Sequence, residues 1–419
     1  MFDAQFFVSF VVIMVVVHVM LIACAYLIFL ERKICAWTQD RIGPNRTNLS
    51  FGVLPIAHKN WGLGQALADG IKLLLKEDYT PPHVDRGLFL LAPVLVVVPA
   101  LIGWAVIPWG GIWEFPGLSF GLLQIEPSMV RVAAAPISIG VVYILAIGSL
   151  AVYGVVLGAY ASNNKYAFFG GVRATAQMVS YEIPMGLCVL IAILTYRHTD
   201  AGMIVHLQAG SGLDGTWGIF LHPLLAVIFF TCVLAECNRA PFDLAEAEAE
   251  LVGGYHTEYS SMKWALFFLG EYMHMITGCA FFCVLFLGGW DPLPFMAELP
   301  VVASGILGPV VVLLKVMIFS GKITFLLVLM MWIRWTLPRL RFDQLMRLAW
   351  QGLIPITLVV LLVTGILIYF GAPVWTFLLA NVLVAVGAAV LGPLLPQGQP
   401  VNRKVPLAGS RFCPPAETA

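Results

Sequence analysis

Apolar residues fall in runs of about 20, the length needed for a helix to cross a hydrocarbon core about 30 Å thick. Nine such runs are legible, at roughly 6–30, 87–109, 132–157, 174–196, 218–237, 264–289, 302–334, 351–370 and 374–395. Only Gly371, Ala372 and Pro373 separate the last two, which reads as a helical hairpin. The pattern predicts an all-α polytopic membrane protein with one integral-membrane domain over 1–395 and a polar, proline-rich tail over 396–419. No basic segment precedes the first run, and it is longer than the apolar part of a signal peptide, so it reads as a retained span. The loop at 31–86 has a period of its own: Leu63, Leu67, Ile71, Leu74 and Leu75 recur at helical spacing, with Asp69, Lys72 and Lys76 opposite. It predicts an amphipathic helix lying on the membrane surface or packed on a soluble partner.

Composition agrees: 60% of the 419 residues are hydrophobic and 11% charged, with a mean hydropathy of +0.91. Lys+Arg and Asp+Glu balance at 23 each, so there is no net field to attract nucleic acid, and charge acts by position. Basic residues concentrate in alternate loops: Arg32, Lys33, Arg41, Arg46, Lys59, Lys72, Lys76 and Arg86 in the first, and Arg339, Arg341 and Arg347 in the seventh. Excess positive charge marks the cytoplasmic side, which predicts an N-terminus outside and a cytoplasmic tail. The eight cysteines form no CxxC and no Cys/His spacing for zinc or an iron–sulfur cluster. Gly210 to Gly215 match G-x-G-x-x-G but follow no strand and open no βαβ unit, so no nicotinamide or flavin site is expected.

The chemistry lies in the charges that remain. Residues 235–259, AECNRAPFDLAEAEAELVGGYHTEY, hold Glu236, Asp243, Glu246, Glu248, Glu250 and Glu258 in and around the fifth loop, 238–263. Pro241 is expected to break the fifth helix, and Asp243 with Glu246 has the form of a helix cap with its capping-box acid. Glu248 and Glu250 exceed any capping need. At about 100° per residue Asp243, Glu246 and Glu250 share one face, with Arg239 as the only near cation. Within the spans stand Glu182, Glu236, Glu271 with His274 three residues on, Lys315 and Lys322. An intramembrane charge must face protein or water, and a spaced series of such groups suits a proton path in which Lys315 serves as a movable counter-charge. A solvated acidic loop and simple structural pairing are the competing readings.

Six segments in order, ERKICAWTQDRIGPNR (31–46), QALADGIKLLLKED (65–78), ASNNKYAFFGGVRATAQMVSYEIP (161–184), the acidic stretch, EYSSMKWALFFLGEY (258–272) and IRWTLPRLRFDQLM (333–346), closely resemble the H-subunit family of bacterial NADH:quinone oxidoreductase, respiratory complex I. The likeness runs from about 6 to about 370; the ninth span, 374–395, and the tail depart from an eight-span form. It implies a multi-pass subunit of the bacterial plasma membrane, in contact with quinone-site and iron–sulfur subunits of the peripheral arm and with small membrane-arm subunits. The substrate it implies is ubiquinone or menaquinone, with no flavin, cluster or metal held by this chain. By the resemblance, Glu31, Arg32, Arg41, Gly43, Pro44, Asp69 and Lys72 belong to the quinone-chamber wall, and Arg239, Asp243 and Glu258 shape its mouth. The proton path maps onto Glu182, Glu236, Glu246, Glu248, Glu250 and Glu271, and Arg334 to Arg341 support docking or the chamber. Two alternatives stay open. A membrane subunit of an energy-converting hydrogenase would stand beside different partner genes, and a stand-alone ion transporter would carry flux alone.

Overall fold

The computed structural model describes residues 3–47, 62–120, 123–211, 216–245, 248–292, 300, 302–305 and 307–392. Helix α1 (Ala4–Thr38) begins where Asp3 accepts the Gln5 amide. It runs past the expected loop boundary, so Glu31 and Arg32 lie on its last turns. The surface helix α2 (Gln65–Leu75) follows, with Leu67, Ile71, Leu74 and Leu75 exposed, as an amphipathic element at an interface requires. Next come α3 (Arg86–Ile102) and a patch of short strands, β1 (Ile112–Phe115), β2 (Leu118–Phe120), β3 (Leu123–Ile125) and β4 (Ser128–Arg131). The third span, α4 (Gly140–Ala161), starts eight residues later than its apolar run. The intervening residues carry Pro136, which disfavours helix in the residue before it. Conversely α5 (Lys165–Tyr196) starts early, capped by Asn164, which accepts the Tyr166 amide at 2.9 Å.

The fifth span is interrupted. After α6 (Ala201–His206), a π turn over Leu207–Ser211 and the short α7 (Gly218–Leu221), the chain breaks at His222 before α8 (Pro223–Glu236). The π turn takes up Gly210 and Ser211 of the glycine motif; residues 212–215 lie outside the described part. Then follow α9 (Glu248–Leu251), α10 (Ser261–Phe286), β5 (Val302–Ala303), α11 (Gly308–Thr336), α12 (Phe342–Arg347) continuing through a π turn into α13 (Ile354–Tyr369), and α14 (Trp375–Leu391). The seventh run thus opens as a strand, β5 beside β1, and only then turns helical. Seven helices are long and apolar enough to cross a membrane, and α8 and α14 are shorter apolar helices. The hairpin joining α13 to α14 turns on Gly371, whose φ of +62° suits a residue without Cβ. The Ala372 and Gly371 amides there cap the Leu367 and Ile368 carbonyls.

Alternation of the loops is visible in their contacts. At one end Asn164 meets Glu258, Ser261 meets Leu73, and Leu340 meets Pro241, joining the first, third, fifth and seventh loops. At the other, Gln5 meets Arg131, Arg131 meets Asp200, and Trp217 meets Asp291, joining the N-terminus to the second, fourth and sixth loops. Helix α10 is central, packed on α1, α3, α8 and α11, with 72% of its apolar stretch buried against 11% for α1. Val96 of α3 projects between Gly154 of α4 and Gly270 of α10, where a Cβ would come within 2.5 and 2.6 Å of it. Small residues allow such close approach where lipid offers no hydrophobic drive between helices.

The ninth span is anchored at the break in the fifth. Asn381 of α14 donates to Nδ1 of His222 at 2.9 Å, and Nε2 of His222 lies 3.0 Å from the Thr195 hydroxyl, which itself donates to Ile191 O. This network assigns the proton to Nε2 and satisfies the polar groups of a helix break that apolar surroundings would otherwise penalise. Asn381→Leu is expected to leave His222 Nδ1 unpaired and to cost about 1–3 kcal/mol. A thermal melt of the solubilised protein checks this, and an unchanged midpoint would show that the contact does not hold α14.

Candidate functional site

The last turns of α1 and the bend after it form one wall of a cavity of about 550 Å³. Helix α1 ends at Thr38, Asp40 and Gly43 take positive φ, and Lys33 donates to Ile42 O at 3.2 Å, which folds residues 39–44 back along the helix. Gly43 is needed there, because a Cβ would meet that of Ala36 at 3.0 Å with φ at +72°. Glu31, Arg32, Arg41, Gly43 and Pro44, five residues singled out from the sequence, therefore share this lining. Opposite them stand Trp264, Phe268 and Tyr272 of α10, and Arg334 and Trp335 of α11. The aromatic side chains were not picked out in the sequence; their spacing of four residues along α10 was the available signal.

A largely buried ionic cluster closes the cavity floor. Arg239 donates through Nη1 to both Glu31 oxygens at 3.1 Å, and its Nε lies 2.5 Å from Glu271 Oε1. Arg334 and the Tyr272 hydroxyl also donate to Glu31. The Arg239 guanidinium sits 4.4 Å from the Tyr272 ring centre, a cation–π contact. Arg239 is 4% exposed and Glu31 8%, so water does not screen the pair. Two carboxylates and two guanidiniums alternate, which lets charges persist where each alone would cost several kcal/mol. Arg239 turns inward, and Glu250 is paired with Arg173 at 2.6 Å.

Beyond this cluster, α4 gathers two more carboxylates. Ser149 donates to Glu182 on α5, and Gly148 leaves room for Glu236 at the end of α8, whose Oε1 lies 3.3 Å from where a Cβ would stand. A small cavity lined by Gly148, Glu236, His274 and Thr277 opens beside them.

Other residues lie apart. Arg32 ties α1 to α2 through Asp69 at 2.7 Å, and Asp69 lines a second, apolar cavity of about 280 Å³ beside the first. Lys72 is exposed and lines neither. Glu258 accepts from Asn164 at 2.6 Å, bracing the third and fifth loops. The helix expected from Asp243 onward does not start at Asp243, which lies in the linker after Arg239; among the described residues α9 covers Glu248–Leu251. Glu248 opens that helix, and Glu246 lies outside the described residues. Lys315 is fully buried and donates to Pro300 O at 2.8 Å near Trp290, among the second and sixth loops. Lys322 caps the end of α10 at Leu287 O, a favourable place for a cation. Among the described residues no group of three His, Cys, Asp or Glu is placed to hold a metal ion.

Two outcomes follow. Arg239→Met removes the guanidinium that bridges Glu31 and Glu271, leaving two largely buried carboxylates against Arg334, and is expected to destabilise by about 3–5 kcal/mol, with Arg239→Lys intermediate; melting of the purified variants measures both. The hydrogen bond from Arg173 holds the Glu250 carboxyl below the ordinary glutamate range. The tie that Glu250 makes between α9 and α5 is therefore present at neutral pH and is lost as pH falls through that lowered value. A disulfide-trapping or spin-distance measurement between α9 and α5 against pH reads the release, and Arg173→Gln abolishes its pH dependence.

The family model described as NADH dehydrogenase matches residues 11–365. The H subunit 1 of NADH-quinone oxidoreductase from Geobacter sulfurreducens is 43% identical over 367 residues, covering 87% of this chain and 96% of that protein. The protein of the same name from Cytophaga hutchinsonii is 40% identical over 85% of this chain and 95% of its own length. The NADH-quinone oxidoreductase H subunit of Protochlamydia amoebophila is 43% identical over 82% and 92%. With matches of this extent spanning the cavity, the ionic cluster and the interior carboxylates, the chain belongs to the NADH dehydrogenase family of membrane subunits.

Proposed function

We propose that this chain is the membrane-arm subunit of a proton-pumping NADH:quinone oxidoreductase that builds the quinone chamber and the first stretch of the proton path. The observation that carries the proposal is the pair of adjoining cavities. The larger, about 550 Å³, is in the size range of small-molecule sites and combines aromatic faces with Arg41 and the Glu31–Arg239 cluster. The smaller, apolar one shares Ile28, Arg32, Trp264 and Phe268 with it and is bounded by Leu21, Leu73 and Leu74 on the lipid-facing sides of α1 and α2. A polar headgroup in the first and an isoprenoid tail in the second is the arrangement an amphipathic quinone requires.

Reduction of a quinone to the quinol takes up two electrons and two protons. Electrons come from an iron–sulfur subunit of the peripheral arm, docked at the end bearing the first, third, fifth and seventh loops; their basic residues make that end cytoplasmic, with the N-terminus outside. Transient negative charge in the chamber raises the proton affinity of nearby carboxylates and draws protons along Glu271, Glu236 and Glu182. Glu246, Glu248 and Glu250 serve as the cytoplasmic antenna of this route, with Asp243 and Glu258 shaping the loop that carries them. The chain works in the bacterial plasma membrane beside quinone-site and smaller membrane-arm subunits. Binding of ubiquinone or menaquinone needs no flavin, cluster or metal on this chain.

Glu182→Gln in the assembled complex tests the route. Assembly and NADH:ferricyanide reduction should be unchanged, while coupled quinone reduction and proton pumping fall by about 10²-fold, the size of a lost proton-transfer group. Normal turnover with normal pumping would remove Glu182 from the path.

A further inference from the structure

We infer that His274 is a proton-relay residue between Glu271 and Glu236. The relay rests on the proton path proposed above and supplies the step that its carboxylates leave open.

Glu271 and His274 are three residues apart on α10, about 4.5 Å along the axis and on neighbouring positions of one face. Glu271 is held in the ionic cluster by Arg239. His274 and Glu236, which come from different helices, both line the small cavity among α4, α5, α8 and α10. Its volume of about 30 Å³ admits a water molecule, and Glu236, His274 and Thr277 supply polar partners for it. The Thr277 hydroxyl donates to Met273 O at 2.8 Å, leaving its lone pairs for that water. Nε2 of His274 is shut off from solvent and has no hydrogen-bond partner among the described residues, while a backbone contact with Val96 steadies the ring. A buried ring nitrogen without a protein partner is costly unless water meets it. On the far side, Gly148 and Ser149 of α4 bring Glu236 and Glu182 side by side, so a proton reaching Glu236 has Glu182 as its next acceptor.

The balance is simple. A proton taken up by Glu271 when charge enters the chamber passes to Nε2 of the imidazole, giving an imidazolium and returning Glu271 to the carboxylate paired with Arg239. The imidazolium releases it through the cavity water to the Glu236 carboxylate, and the neutral ring is restored.

The test compares His274→Leu, His274→Gln and Glu236→Gln in the assembled complex, reading NADH:ferricyanide reduction, coupled quinone reduction, proton pumping and the pH profile of turnover. Glutamine keeps a polar group for the water but carries no proton. With His274 as a relay, both of its variants slow coupled turnover and pumping by about 10²-fold, with ferricyanide reduction unchanged and the pH profile altered. Recovery of the wild-type rate in His274→Gln would reduce the residue to placing water and overturn the relay. If Glu236→Gln is slow and both His274 variants are normal, the relay alone fails. If Glu236→Gln is itself normal, the underlying path fails, and the relay with it. Should His274→Leu not assemble, His274→Gln decides.

Discussion

Arg239, buried between Glu31 of α1 and Glu271 of α10, is the contact on which the rest of the site depends. It joins segments 208 residues apart and, with Arg334, brings four parts of the chain to one point. Desolvation makes such a cluster intolerant of imbalance, because the low dielectric that strengthens each pair also enlarges the penalty for any unpaired charge. The cavity lies on one face of this cluster, and Glu271 shares α10 with His274, which lines the smaller cavity together with Glu236.

The packing of α10 makes that geometry possible. The helix is enclosed on several sides, so its polar residues face protein and small cavities and avoid lipid. Glycines do the fitting: Gly270 admits Val96, and Gly278 lies so close to Val233 that a Cβ would come within 2.4 Å. The lysines of α11 serve the opposite end, where Lys315 and Lys322 bind carbonyls of the sixth loop and the end of α10. Positive charge there stabilises a helix terminus.

What could be read in the sequence was whatever is periodic or local. The runs of about 20 apolar residues, the amphipathic turn pattern of 63–76 and the hairpin at Gly371 all reappear. Boundaries moved where one residue overrode hydropathy, as with Pro136 ahead of α4 and Asn164 ahead of α5. The break at His222 was hidden, since both its flanks are apolar and its satisfaction comes from Thr195 and from Asn381, 159 residues away. Residue types at the site were legible, because charge in a membrane segment is costly and stands out. Their partners were not: Arg239 has acidic neighbours in sequence but pairs across the bundle, and Glu250 finds Arg173, 77 residues away. Capping logic for Asp243 assumed a helix starting there, whereas Asp243 and the turn at Leu244 and Ala245 lie outside any helix.

The central claim is that charge in the larger cavity is transmitted through Arg239 to carboxylates inside the membrane. Redox-induced infrared difference spectroscopy of the assembled complex tests it most directly, by following the carboxyl C=O stretch as the quinone site is reduced. The account predicts a protonated-carboxyl band that appears on reduction in the wild type and is lost or diminished in Glu271→Gln and in Glu236→Gln. A band of wild-type size and position in both variants would contradict it.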